Sequence, residues 1–299
     1  MCKIDKKRGF SGDFRVKTGI IVSHLGIKVS VEFHDHECSM IRVARNSGHV
    51  VGDRVVIEHE KLTRLERENY LIRHTRFGDQ IMAANLNAVG IVVSTIPKIP
   101  HIFIDRVVVA TRSQNIEPII ILNKSDLPKS TQLHDDLVLT YGSSLQIFSV
   151  SARREEGLTN LKIALAKVGR SALIGVSCVG KSSLMNVLLP DAKLSTSDDI
   201  DEREHGKHVT TVSNLLHLPS GGELIDTPGI RDFEPVDIDV KELAPYFVGF
   251  EKALQTPCKF RNCLHTKEPG CSIRDAVKSG EIQAERYETY LELASVRNT

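Results

Sequence analysis

The segment Gly175-Val176-Ser177-Cys178-Val179-Gly180-Lys181-Ser182 has the residue types and spacing needed to hold a chain of phosphates. In the pattern G-x-x-x-x-G-K-[ST] the glycines let backbone approach an anion closely. The lysine reaches the β and γ phosphates and the hydroxyl ligates Mg2+. Its context fits, because Ser171-Ala172-Leu173-Ile174 reads as a strand in front and Ser183-Leu184-Met185-Asn186-Val187-Leu188 as a helix behind. The loop amides and the helix N-terminus, with Ser183 in its first turn, would then cradle the phosphates. Alone, the motif says only nucleoside triphosphate.

Two further segments could complete a phosphate site. Glu223-Leu224-Ile225-Asp226-Thr227-Pro228-Gly229 puts an acid at the end of an apolar run, where Asp226 can hold the Mg2+ shell and the Gly229 amide can sense a γ phosphate. Between the motifs, Gly206-Lys207-His208-Val209-Thr210-Thr211 sits in a charged, poorly apolar stretch that begins near Ser195. A threonine there, Thr210 or Thr211, is expected to complete the Mg2+ coordination and to order the loop when the γ phosphate is present.

Base identity is expected from Asn123-Lys124-Ser125-Asp126, directly after the apolar run Ile119 to Leu122. The Asp126 carboxylate can accept from the N1 and exocyclic amine donors of guanine, a donor pair that adenine lacks, with Asn123 on the purine edge and Lys124 over the ring. Ser149-Val150-Ser151-Ala152 supplies a small-residue turn, Ser151-Ala152, that can offer an amide to the guanine oxygen. Each piece in isolation also reads as an ordinary polar turn after a strand. Together they favour guanine over adenine.

Elements must bring these pieces together. The chain has 299 residues, 41% hydrophobic and 26% charged, which predicts two or three folded domains rather than disorder. Net charge is +1, so the average announces no polyanionic partner, although local patches can. From Lys17 to about Glu58, short β-branched runs separated by Gly, Asn, Ser and His-Asp segments predict a small barrel, one of oligonucleotide-binding (OB) type by its length. Basic residues on it (Lys3, Lys6, Lys7, Arg8, Arg15, Lys17 and Lys28) could meet a phosphate backbone or simply be solvated. Residues 61–80, with Arg64, Arg67, Arg73 and Arg76 among glutamates, read as a polar connection. From Asn87, the continuous apolar runs 89–93, 118–122, 145–150 and 171–174, with a helical stretch from Phe103 to Ser113, predict a parallel α/β sheet. After Pro245 a Cys/His cluster precedes helical spacing at Ile273, Val277, Ile282, Tyr287 and Leu291. No apolar run approaches the roughly 20 residues of a membrane helix, and the N-terminus lacks a signal-peptide core, so the expected location is the cytoplasm. Of the six cysteines (2, 38, 178, 258, 263, 271), three clustered near the C-terminus favour a metal over disulfides in that compartment.

The order of motifs is N-K-S-D, S-A, P-loop, T-T, D-T-P-G, with the base motif first. In this the chain resembles the circularly permuted GTPases, and specifically the RsgA (YjeQ) family of bacterial small-subunit ribosome-assembly factors. The resemblance covers nearly the whole chain and includes Ala83-Ala84-Asn85 before the first sheet strand. It implies an OB-fold β-barrel over 1–75, a permuted α/β P-loop GTPase domain over 76–245, and a zinc-binding helical domain over 246–299. In the last, Cys258, Cys263, His265 and Cys271 form C-x4-C-x-H-x5-C; three thiolates and one imidazole make a closed tetrahedral set suited to one structural zinc. The resemblance further implies GTP and GDP as ligands, Mg2+ held by Ser182, Thr210 and Asp226, and a small (30S) ribosomal subunit with its rRNA as partner. Turnover stimulated by that subunit, late subunit maturation and a monomeric chain are part of the same expectation.

Two positions, Cys178 and Val209, depart from the family pattern, and a third, Ile230, departs from that of many GTPases. Cys178 stands where the family usually has glycine in the phosphate loop. Val209 stands where a third threonine is common, which leaves open whether Thr210 or Thr211 meets Mg2+. Ile230 follows Asp226-Thr227-Pro228-Gly229 where many GTPases carry a water-orienting glutamine, so either His208 or the ribosome would have to orient the attacking water. The missing glutamine keeps a second reading open, a nucleotide-gated RNA-binding protein with negligible hydrolysis. A P-loop kinase or ATPase with an unrelated zinc knuckle is a third, opposed by Asn123 and Asp126.

Overall fold

The computed structural model describes residues 16–59, 61–75, 78–190, 213–226 and 238–295. Five antiparallel strands open the chain: β1 (Lys17–His24), β2 (Lys28–Phe33), β3 (Cys38–Arg42), β4 (Arg54–Glu58) and β5 (Lys61–Arg64), in the order β3-β2-β1-β4-β5. Ile21, Val29, Val31, Val55 and Ile57 form their core, the inward side of the two-residue alternation that the β-branched runs predicted.

Residues 61–80 are not a connection. They form β5, β6 (Tyr70–Thr75) and the start of β7 (Gly78–Ala84), and β6 and β7 pair as a separate antiparallel hairpin that crosses position 75. Of the charges that suggested a solvated linker, Arg67 and Glu68 have partners instead. Arg67 donates from Nε (2.6 Å) and NH2 (2.9 Å) to Asp53, a carboxylate with no exposed surface, and Arg54 meets Glu68 at 2.8 Å.

The second unit alternates strands and helices: β8 (Ala88–Val93), α1 (His101–Arg112), β9 (Glu117–Leu122), α2 (Ser130–Tyr141), β10 (Gln146–Ser149), α3 (Leu158–Val168), β11 (Arg170–Ile174), α4 (Lys181–Leu188), β12 (Ser213–His217) and β13 (Glu223–Asp226). Sheet order is β10-β9-β8-β11-β13-β12, parallel except for β12. Every residue of β8 is buried, as expected of a strand covered on both faces.

The two units share one sheet. β12 pairs antiparallel with β1 through Ser23↔Asn214 and His24↔Ser213, giving eleven continuous strands. Arg170 reinforces the seam, with Nε on Glu223 at 2.7 Å and NH1 on the Gly52 carbonyl at 3.1 Å. A third core gathers Leu243, Phe247, Phe250, Ile273, Ile282 and Tyr290 around α5 (Val240–Leu243), α6 (Ser272–Lys278) and α7 (Ala284–Ser295), and it reaches α1 through Val109.

Candidate functional site

From the centre of the α/β sheet the chain first steps outward through β8, β9 and β10, then returns to β11 and proceeds the other way to β13. Between β8 and β11 the direction of winding reverses. Ligands of open α/β sheets sit outside the carboxyl ends of the strands at such a switch point. The loop after β11 is Gly175–Gly180, and the base motif follows β9, so the two motifs arrive at the same edge although the base motif comes first in the chain.

Gly175 is buried, and a Cβ there would meet the Val92 carbonyl at 2.5 Å. Val179 is fully buried and anchors the loop, while Ser177 and Cys178 are exposed. Gly180 has φ +93°, and a Cβ on it would stand 2.4 Å from Asn123 Nδ2, so glycine is required for both space and backbone conformation. Gly180 caps α4 without a side-chain hydrogen bond, which leaves the first-turn amides around Lys181, Ser182 and Ser183 for an anion. Lys181 is 8% exposed, and its Nζ donates to the Gly175 and Val176 carbonyls at 2.7 Å each. That contact spans the loop from its last residue to its first and aims the ammonium along the cradle.

Cys178 adopts φ +65°. Left-handed backbone costs a non-glycine residue about 1–2 kcal/mol, a cost that glycine would not carry.

Asn123 is almost fully buried and both ends of its amide are engaged. Nδ2 donates to the Val179 carbonyl at 3.0 Å and to Gly180 at 3.3 Å; Oδ1 accepts from the Ala152 amide at 3.1 Å. Asn123, expected on the purine edge, clamps the phosphate loop to the Ser151-Ala152 turn. The Ala152 amide donates to the buried Asn123 Oδ1. Lys124 adds a second tie, with Nζ on the Cys178 carbonyl at 2.6 Å and on the Ile96 carbonyl at 2.8 Å. Ser125 donates its amide to Val150 at 3.0 Å, holding the motif against β10.

Ser151 donates its hydroxyl to Asp126 Oδ1 at 2.6 Å. That bond, above all, holds the Asp126 carboxyl below its ordinary range, with Arg154 and Arg153 helping. Asp126 therefore stays ionised and acceptor-only, which is what the paired donors of guanine need.

Asp226 ends β13, parallel and adjacent to β11 in the register Ala172↔Ile225. Ser182 lies in the first turn of α4, after the loop that follows β11, so both oxygen donors come from the ends of neighbouring β–loop segments, and oxygen donors suit Mg2+. Thr210, Thr211, His208 and Gly229, like Val209 and Ile230, lie outside the described residues.

The cysteine cluster closes on one point. Ligand atoms of Cys258, Cys263, His265 and Cys271 all lie within 4.8 Å of one another. His265 Nδ1 stands 3.5 Å from Cys258 Sγ and 3.3 Å from Cys271 Sγ. A tetrahedral zinc with its usual bond lengths puts sulfur and nitrogen about 3.5 Å apart, so the donor set fits the ion. Burial pushes the Cys263 thiol up to about 12, with Cys271 and Cys258 adding to the rise, a crowding that a divalent cation relieves. Burial also opposes the Cys258 thiolate, but the Ser272 hydroxyl and amide outweigh it and hold that thiol below its ordinary range.

Supporting residues escaped the sequence reading. Glu268 knots the ligand loop by accepting the amides of Leu264, Thr266 and Lys267 at 3.0–3.2 Å. Tyr287 and Tyr290 donate to the carbonyls of His265 and Leu264. The position of Glu268 inside the x5 spacing was the available signal; the tyrosines gave none.

Among the described residues no helix is long and apolar enough to cross a membrane. Residues 64–235 match the family model described as RsgA GTPase. A protein named small ribosomal subunit biogenesis GTPase RsgA from Haemophilus influenzae is 36% identical over 287 residues, covering 91% of this chain and 82% of its own. One of the same name from Shewanella oneidensis is 35% identical over 291 residues, covering 92% and 82%. The crystal structure of YjeQ from Thermotoga maritima superposes with a TM-score of 0.75 at 30% identity, over 94% of this chain and 98% of that one. YloQ, described as a circularly permuted GTPase, gives 0.69 at 26%, over 94% of each. With a phosphate loop and a guanine-reading motif brought together at the switch point of a permuted sheet, this chain belongs to the RsgA GTPase family.

Proposed function

We propose that the chain is a GTPase that binds the small (30S) ribosomal subunit and its rRNA and assists late subunit maturation. Subunit binding stimulates hydrolysis to GDP and phosphate, and hydrolysis is coupled to release. The observation that supports the enzymatic half is the Asn123 clamp, which makes base recognition and phosphate binding one rigid unit. The names borne by its relatives support the ribosomal half.

In this reading Asp126 selects guanine, the loop amides with Lys181 offset phosphate charge, and Ser182, Asp226 and Thr210 or Thr211 hold Mg2+. When bound, Mg2+ supplies charge neutralisation on the β and γ oxygens. The Gly229 amide senses the γ phosphate. Ile230 cannot hydrogen-bond water, so the attacking water is oriented by His208 or by the ribosome, and intrinsic turnover is slow. One zinc on Cys258, Cys263, His265 and Cys271 is structural, since four protein ligands leave no open position. The protein acts as a monomer in the cytoplasm.

Phosphate release from GTP and ATP, with and without isolated small subunits, tests this. GTP-selective release accelerated by subunits is expected. Release indifferent to subunits would remove the ribosomal half, and no multiple turnover with subunits would leave a nucleotide-gated RNA binder.

A further inference from the structure

A second cluster of metal-competent side chains lies where the N-terminal unit meets the GTPase sheet, away from the nucleotide and cysteine sites. Glu32 is the penultimate residue of β2, His36 lies in the turn after it at φ +60°, and His217 ends β12. Glu32 Oε1 is 2.7 Å from His36 Nδ1, and Glu32 Oε2 is 2.8 Å from His217 Nε2. Each imidazole thus takes one oxygen of a carboxylate whose side chain is only 12% exposed.

We propose that Glu32, His36 and His217 bind a divalent transition-metal ion of the zinc class, which ties the N-terminal unit to the GTPase sheet. The three ligand atoms lie within 4.8 Å of one another. Zinc holds neighbouring N and O ligands about 3.3 Å apart, so the carboxylate–imidazole distances open by roughly half an ångström, and the exposed His36 ring supplies the remaining movement. Two imidazoles and one carboxylate suit zinc, nickel or copper better than magnesium or calcium, which take oxygen.

What lies behind His217 supports the assignment. Its other nitrogen, Nδ1, faces Glu223 Oε1 at 3.9 Å, longer than a hydrogen bond but on the side from which a carboxylate orients histidine ligands in metal sites. Glu223 is itself fixed by Arg170 Nε at 2.7 Å. The two sides of the site come from segments 185 residues apart in the chain. An ion here links β2 directly to β12, the strand that follows Thr210 and Thr211 in the sequence.

Full-length protein equilibrated with Zn2+ near neutral pH and then freed of excess metal is measured for zinc per chain. Two equivalents are expected for the wild type and one for His217→Ala. Cobalt substitution keeps the two sites apart, because only the cysteine set gives thiolate charge-transfer absorption, which persists in the variant. Glu32→Gln keeps hydrogen-bonding atoms for both rings and loses the charge. It should weaken the second equivalent at least about 10-fold, which separates metal binding from a repacked seam. A wild type that retains a single equivalent, or a His217→Ala protein that still retains two, overturns the proposal.

Discussion

Arg286 on α7 and Asp105 on α1 form a bidentate ion pair, with NH1 to Oδ2 at 2.7 Å and NH2 to Oδ1 at 2.9 Å, and this pair seats the C-terminal unit on the GTPase domain. The guanidinium lies 4.3 Å from the Phe247 ring centre and 5.3 Å from that of Tyr141, and it also donates to the Val248 carbonyl at 2.9 Å. Burial opposes its charge, but the Asp105 carboxylate outweighs burial and holds Arg286 above its ordinary range. Removing one partner strands the other charge in an apolar seam.

Asp105→Asn and Arg286→Met should therefore each destabilise the protein by about 3–5 kcal/mol. The double variant should lose clearly less than the sum of the two. Urea unfolding of all four proteins gives the coupling directly, and additive losses would show the pair to be energetically idle.

Asp126→Asn replaces an acceptor with a donor at the position facing the guanine N1 and N2 donors. Loss of two charge-assisted hydrogen bonds, each worth about 1.5–3 kcal/mol, predicts a drop in GDP affinity of about 10² to 10⁴-fold. Xanthosine diphosphate, which carries a carbonyl in place of the amine, should bind the variant better than GDP does. Equilibrium titration with both nucleotides checks the reversal.

Asn123→Ala removes the clamp without touching a phosphate-binding group. The buried carbonyls of Val179 and Gly180 and the Ala152 amide lose their partner, and unpaired buried groups cost about 1–3 kcal/mol each. Nucleotide off-rate should rise by at least about 10-fold, and hydrogen exchange should speed up in the phosphate loop as well as at residues 151–152. A loss of base selectivity with an unchanged phosphate loop would assign Asn123 to the base alone.

Cys178→Gly should leave nucleotide affinity within a factor of about two and raise stability by about 1 kcal/mol, the relief of left-handed backbone. Cys178→Val, branched at Cβ, should do the opposite. Stopped-flow nucleotide release with thermal unfolding reads both effects.

Zinc removal by a chelator should loosen residues 258–272 and the helices after them, measured by hydrogen exchange, while GDP affinity changes little. In the metal-free protein burial depresses the His265 pKa below 6.5. A depressed histidine contributes stability that is present above the unfolded value and is lost as pH falls below about 6.5. Acid should thus unfold the metal-free C-terminal unit first, whereas His265→Gln should flatten that dependence.

The nucleotide class, the guanine preference, a Cys3His set able to hold a metal and the permuted order were all legible in the sequence, because each is carried by a few nearby residues whose backbone conformation is local. Strands buried on both faces were legible for the same reason, as unbroken apolar runs. Tertiary structure alone decided what lies between distant segments. Residues 61–80 look like a solvated linker until Asp53 is seen to receive Arg67. Asn123 announces only a polar contact until Val179, 56 residues later, is found to accept from its amide. The N-terminal unit looks separate until β1 joins β12. A polar side chain announces in the sequence only its capacity to bond; its partner is set by the path of the backbone, which here brings the end of one sheet to the edge of another.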